Sequence, residues 1–374
     1  APNLFGRRAD WSAAIAMSRD IYPLEFKPDL ADAARRYEAY YAGEIIDRPL
    51  VHITAPRDRG FRDWYERSYW DNVYGDMGET LDRALESASH THYGGEAVPS
   101  FYPSFAPDAI AVFCGAELRW NDASSETNWS VPFVERWEEA LPLRLHTEHP
   151  LWQRQLAYYR LAAERLEGKM LLRGLDWHTN MDLLAAIRGP DRLCMDLVER
   201  PEVIDEAMRS ARAIFPQAWQ AVTEAGRMYE RGFCNTLYSM EGADILQCDF
   251  GAMISPAMFA RWALPALEEE AAIVKHVYYH WDGPTQLVHE DLICGSRGLH
   301  TIQYQMGAGR GDPIDYLELY QRIQAKGKAI HLWGSIDEVK AAHRLLRPEK
   351  VYYTTYAGSV QEAEALLGWL VGNT

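Results

Sequence analysis

Short apolar runs alternate with stretches of helical periodicity along most of this chain, and that alternation leaves few architectures open. Residues 247–282 hold its clearest unit. The first apolar run ends in Gln247-Cys248-Asp249, and Ser255-Pro256 then reads as an N-cap followed by the first helical residue. Phe259, Ala263, Leu267, Ala271 and Val274 recur at helical spacing, Glu268-Glu269-Glu270 form a solvated edge, and Lys275 closes the last turn. Pro265 is expected to kink the helix. In the next run, Val277-Tyr278-Tyr279-His280-Trp281-Asp282-Gly283, a period of two sets His280 and Asp282 on one face at the strand's C-terminal end. Ligands and catalytic groups of α/β folds gather at that end.

The remainder extends the pattern. Trp11, Ala14, Met17 and Ile21 share one helical face and a second helical run covers 30–41, so residues 1–47 are expected to form a helical extension. Residues 48–374 then supply eight expected strands at 50–57, 98–105, 169–176, 233–239 (continued by 244–248), 277–282, 299–306, 329–333 and 351–356. Helices are expected at 77–88, 150–167, 181–198, 201–228, 285–294, 313–325, 336–346 and 360–370, with a β excursion at 110–113 and 117–120. Tyr93-Gly94-Gly95 reads as a turn, and the aromatic-rich segment 58–95, with Trp64, Tyr65, Tyr69, Trp70 and Tyr74, is a candidate lid or interface. The expected fold is a (β/α)8 TIM barrel with an N-terminal helical extension. A doubly wound sheet is the alternative, but Gly307-Ala308-Gly309-Arg310-Gly311 does not match its phosphate-binding signature.

Composition narrows the function. With 374 residues, 48% hydrophobic content and 13 Trp, the chain can bury one large core. A net charge of −16 without any basic stripe argues against nucleic acid and anionic membrane as partners. No apolar run reaches the ~20 residues of a membrane helix, and the N-terminus lacks signal-peptide order, so the expectation is a soluble cytoplasmic protein. Five Cys without CxxC spacing speak against a disulfide framework or a Cys-rich zinc site.

On the barrel reading, the strand ends bring Arg57, Asp176, His178, Glu241, Cys248, Asp249, His280, Asp282, Gln303, Gln305 and Trp333 to one mouth. Side chains at i and i+2 share a strand face, so His280 and Asp282 can bind one divalent metal, with Glu241, Cys248, His331 or His178 as candidate third ligands. Asp176, His178, Asp249 and Arg57 are candidate catalytic groups, and Trp177, Trp281, Gln305 and Trp333 candidate substrate contacts. The plainer readings stand beside these: His52 and His331 as core histidines, His289-Glu290 as a solvated helix face, and Asp249 as acceptor for the backbone of 251–255.

CDFGAMISPAMFARWALPAL, the HWDG that follows it and the later IQYQMGAG resemble the uroporphyrinogen decarboxylase superfamily. That superfamily holds the haem-pathway decarboxylase and zinc-dependent methyltransferases that move methyl groups between corrinoid proteins and thiols. The decarboxylase's Arg-rich N-terminal motif is absent. The methyltransferases' two Cys positions are occupied by Asp282 in His280-Trp281-Asp282 and by the Tyr356-Ala357-Gly358 stretch. The resemblance implies a barrel, a zinc ion, a small-molecule substrate, a corrinoid carried by a partner protein and a homodimer. Oxygen ligands in place of sulfur make a metal more Lewis acidic, which moves the expectation towards demethylation of an oxygen or nitrogen compound. Cys248 would restore one thiolate and keeps thiol activation open. Two alternatives remain: a cofactor-independent decarboxylase using Arg57 and an Asp, and a non-catalytic small-molecule binder.

Overall fold

A computed structural model describes residues 21–58, 68–121 and 124–374. The helical face of Trp11, Ala14 and Met17, and the aromatics Trp64 and Tyr65, lie outside the described residues. The strands are β1 (Leu50–Pro56), β2 (Thr91–Gly95), β3 (Ser100–Phe101), β4 (Glu117–Asn121), β5 (Ser124–Val131), β6 (Leu171–Leu172), β7 (Phe233–Asn235), β8 (Leu237–Ser239), β9 (Ala243–Gln247), β10 (His276–Asp282), β11 (Leu299–Gln305), β12 (Ala329–Trp333) and β13 (Val351–Tyr356). One sheet runs β2-β1-β13-β12-β11-β10-β9, a second β3-β6-β7-β8, and β4 and β5 form a separate hairpin.

From β9 through β13 and on to β1 every pairing is parallel, and helices link consecutive strands, so this is a mixed α/β fold with a mostly parallel main sheet. Among the described residues no strand ladder joins the two sheets; side chains bridge them instead, as where Asn235 Nδ2 donates to Asp244 Oδ1. The helix Leu30–Tyr41 packs across the N-terminal ends of the strands. Leu30, Ala33, Ala34, Tyr37 and Tyr40 are its buried stripe. Tyr37 and Tyr41 donate to the Thr236 and Tyr238 carbonyls at 3.3 and 2.7 Å, and the Tyr40 hydroxyl meets Thr301 Oγ1 at 2.8 Å. With that end covered, chemistry is left to the C-terminal ends.

The expected strands at 329–333 and 351–356 match β12 and β13 residue for residue. Other expectations need correction. Residues 110–113 belong to a helix, Ala109–Phe113, buried at every position; a short run apolar on all sides carries no period that separates strand from helix. The strand expected at 233–239 is a hairpin of β7 and β8, reversed at Thr236, whose φ of 68° lies in the left-handed region. The turn expected at 93–95 is the end of β2, which pairs antiparallel with β1. Gly95 has φ 57°, and a Cβ there would lie 2.3 Å from the Val51 carbonyl oxygen, so only glycine lets the two strands close up. Pro265 falls in the first turn of the helix Leu264–Val274, directly after a local π turn, Phe259–Ala263, so the regular α-helical hydrogen-bond pattern is interrupted beside the residue that lacks an N–H.

Candidate metal centre

Strands β9, β10 and β11 are in parallel register with Gln247 opposite His280, His280 opposite Gln303 and Asp282 opposite Gln305. On each strand the next residue on that face is two positions on, so three adjacent ends present Gln247/Asp249, His280/Asp282 and Gln303/Gln305. Asp249 sits just past β9 at the start of the 3₁₀ turn Asp249–Met253. The result is a convergence of Asp249, His280 and Asp282, whose ligand atoms lie within 4.8 Å of one another.

The surroundings favour a cation there. Burial first, then the neighbouring Asp249 carboxylate, raise the Asp282 pKa, with His280 opposing. The Asp249 side chain is 39% exposed, yet among the described residues its Oδ1 is buried without a hydrogen-bond partner. The expected acceptance of backbone donors from 251–255 is therefore not seen. His280 Nδ1 is hydrogen-bonded to Gln303 Oε1 and Gln303 Nε2 donates to Gln305 Oε1 at 3.3 Å, an order that makes Nδ1 the donor and leaves the Nε2 lone pair for a ligand. Three protein ligands, all half-buried, fit a metal site with positions left open.

The Asp249 turn is held from beneath. Asp182 accepts the backbone N–H groups of Asp249 and Phe250 at 3.0 and 2.8 Å, and on the other side the His289 Nε2 is 2.9 Å from the Gly251 carbonyl oxygen. His289 is fully buried and stacks on Phe259 at 4.4 Å, which corrects its reading as a solvated face. Burial, with Asp249 nearby, pushes Asp182 up to about 7. His178 lies between acids, its Nε2 3.5 Å from Asp176 Oδ1 and 4.0 Å from Asp249 Oδ2. Burial opposes its protonation, but Asp176, Asp182 and Asp249 outweigh that and raise its pKa. Asp176 Oδ1 also accepts from Gln247 Nε2 at 2.8 Å.

Several sequence candidates fall elsewhere. Glu241 precedes β9, near Glu38, at the end of the strands opposite His280. Cys248 is 0% exposed and alternates away from Gln247 and Asp249 towards Asp182 and Glu270; burial drives its thiol far above the usual range. Neither can complete the centre with His280. Trp281 is likewise on the outer face, fully buried, edge-on to Tyr304 and donating to the Gln286 carbonyl at 3.2 Å, so it packs and meets no substrate. Arg57 is exposed at the β1–β2 edge, where its Nε–H donates to the Thr91 carbonyl at 2.8 Å. His331 is a satisfied core residue, bonded to Tyr278 and Thr354 at 2.8 Å each and pushed down to about 3 by burial. Trp333, half-buried, stacks on His331. Trp177 is 1% exposed, donates to Asp244 Oδ2 at 3.0 Å, and presents one edge to a cavity of 230 Å³ that His280, Gln303 and Asp176 also line. A second cavity, of 360 Å³, lies on the other side of His178 and Asp249, beside Asp108 and Asp182.

Glu270, expected on a solvated edge, is 3% exposed and bonded to Thr179 Oγ1 at 2.6 Å. Burial pushes it up to about 8, against the Thr179 and Asn180 hydrogen bonds. A folded-state pKa above the unfolded value means the folded protein holds the extra proton, so this contribution is complete below about pH 4.3 and is lost as pH rises towards 8. The slope is at most ~1.4 kcal/mol per pH unit. Glu270→Gln is expected to flatten the fall in stability between about pH 5 and about pH 8. Urea unfolding at both pH values checks it; equal slopes in variant and wild type would contradict the assignment.

No family model matches the chain, and no curated protein matches it either. Among solved structures, a methyltransferase from Methanosarcina mazei has a similar fold, with a TM-score of 0.58 at 12% sequence identity over 90% of this chain and 97% of that one. What the likeness establishes is the shared fold. No helix among the described residues is long and apolar enough to cross a membrane.

Proposed function

We propose that this chain is a metal-assisted methyltransferase that removes a methyl group from an oxygen or nitrogen of a small compound and passes it to a corrinoid carried by a partner protein. The observation that carries the proposal is the convergence of Asp249, His280 and Asp282 at three neighbouring positions on the C-terminal ends of parallel strands. The fold it shares with a methyltransferase and the resemblance of residues 242–374 to the uroporphyrinogen decarboxylase superfamily, which includes zinc-dependent methyltransferases, support it. The strands are read as the wall of a (β/α)8 barrel whose mouth carries the chemistry.

Asp249, His280 and Asp282 would hold the ion, and zinc suits an imidazole with two carboxylates. A bound divalent ion supplies Lewis acidity towards an oxygen or nitrogen, which weakens the bond to the methyl carbon. With Cys248 on the outer face no sulfur ligand remains among these residues, so oxygen or nitrogen demethylation is favoured over thiol activation. Asp176, which lines the 230 Å³ cavity with His280, and His178, 3.5 Å from it, would supply the proton that the departing oxygen or nitrogen needs. Gln303 orients the His280 ring.

The test is metal content after purification without added metal, followed by incubation of zinc-loaded protein with methoxylated and N-methylated compounds and cob(I)alamin. Loss of the cob(I)alamin absorbance with a matching demethylated product is the expected result. A protein that takes up no zinc even on addition would refute the proposal. Gln303→Leu is expected to lower zinc affinity ~10–100-fold, by releasing the ring it orients. Chelator competition measures this, and unchanged affinity would remove Gln303 from the centre.

A further inference from the structure

Arg173 follows β6 and faces the 230 Å³ cavity that His280 and Gln303 line. Its Nε–H donates to Ser100 Oγ at 3.1 Å and its guanidinium stands 6.0 Å from the centre of the Tyr102 ring. Among the described residues no carboxylate oxygen comes within 4.0 Å of it, although acids outnumber bases 54 to 38 in the sequence. Other arginines of the interior are matched, Arg48 with Glu96 at 2.6 Å and Arg188 with Asp196 at 2.6 Å. The acids near Arg173 are occupied by other groups. Asp244 is held by Trp177, Asn235 and its neighbour's backbone N–H, and Asp176 by Gln247. A half-buried guanidinium with no carboxylate in direct contact among the described residues is costly to keep, and its forked donors match a carboxylate.

We infer that Arg173 binds the carboxylate of the substrate, so that the compound is a small carboxylate whose methylated oxygen or nitrogen approaches the metal centre at His280, the one of the three ligands that lines this cavity. This rests on the reading of that cavity as the substrate site. Tyr102 and Tyr278 give it aromatic walls, and the size suits a compact acid. The opposite polarity is offered by the 360 Å³ cavity, where Asp108, Asp182 and Asp249 would favour an amine.

Calorimetry on metal-free protein distinguishes these, since no ion is then present to coordinate the probe. The probes are 4-methoxybenzoate and methoxyacetate, their primary amides, and 4-methoxybenzylamine. At least one acid is expected to bind wild type 10-fold or more tighter than its amide. Arg173→Met should bring the pair within about twofold while leaving amide binding in place, and Arg173→Lys should keep part of the preference. Acids that bind wild type no better than their amides in both pairs, a preference that survives Arg173→Met, or preferential binding of the amine would each overturn the inference. The wild-type comparison stands even if Arg173→Met fails to fold. Zinc uptake is read separately, so carboxylate preference without metal binding would sink the methyltransferase proposal alone, and metal binding without the preference would sink this one alone.

Discussion

His280→Ala and Asp282→Ala are each expected to weaken zinc binding by ~100-fold or more, about 2.7 kcal/mol. Removal of the second-sphere Gln303 sets the lower bound, because a ligand contributes the bond itself and not only its orientation. Asp249→Ala should behave as the other two do, since among the described residues its Oδ1 has no other partner to hold it in place. Cys248→Ala and Glu241→Ala are the controls. One side chain is buried on the outer face and the other sits at the far end of the strands, so neither should change zinc affinity by more than about twofold. Competition against a chromophoric chelator gives all five affinities. If His280→Ala holds zinc as tightly as wild type, the centre has been placed wrongly; if Cys248→Ala loses it, a sulfur ligand must be restored and thiol chemistry with it.

Glu96→Ala is expected to cost about 3–5 kcal/mol of folding stability. Glu96 is 0% exposed and its carboxylate accepts from both terminal nitrogens of Arg48, at 2.6 and 2.9 Å, and from the Val51 backbone N–H at 2.8 Å. Arg48 is only 6% exposed, so the truncation strands a guanidinium and a strand N–H together, away from water. These groups anchor the start of β1, beside the covered N-terminal end of the strands. Urea unfolding measures the loss, and a value below ~1 kcal/mol would show that water replaces the carboxylate. The double variant Arg48→Met/Glu96→Leu should recover most of it, because removal of both charges leaves nothing stranded.

Two of the three residues of the candidate metal centre were legible as ligands without a structure. His280 and Asp282 follow from alternation along one strand, a property of the backbone that no partner alters. The same rule applied to Gln247 would have chosen Asp249 over Cys248 as the third ligand, since Asp249 is two residues on and Cys248 one. Asp249 was instead expected among the catalytic groups. The polar i, i+2 pairs Gln247/Asp249 and Gln303/Gln305, set beside His280/Asp282, were the signal. Glu241 was misplaced because 233–239 was read as one strand with Glu241 just past its end, whereas the hairpin of β7 and β8 turns the chain back and leaves Glu241 two residues before the start of β9.

Nothing local could have located the remainder. Glu270 sits in a run of three glutamates, and it is buried because the 179–180 segment packs over that one side chain. His289 and Asp182 hold the Asp249 turn from elements 38 and 67 residues away in sequence. Arg173 faces a cavity while Arg57, at an equally promising strand end, turns to the β2 edge. By itself the sequence determined the alternation of strands and helices over its clearly periodic segments, such as 277–282, 329–333 and 351–356, and the shared face of residues two apart on a strand, because both depend on backbone period and neighbouring side chains. Which faces meet, which acid finds which donor, and which cation lacks a direct ion-pair partner among the described residues were decided only by the tertiary structure, since burial and pairing depend on residues far apart in the chain.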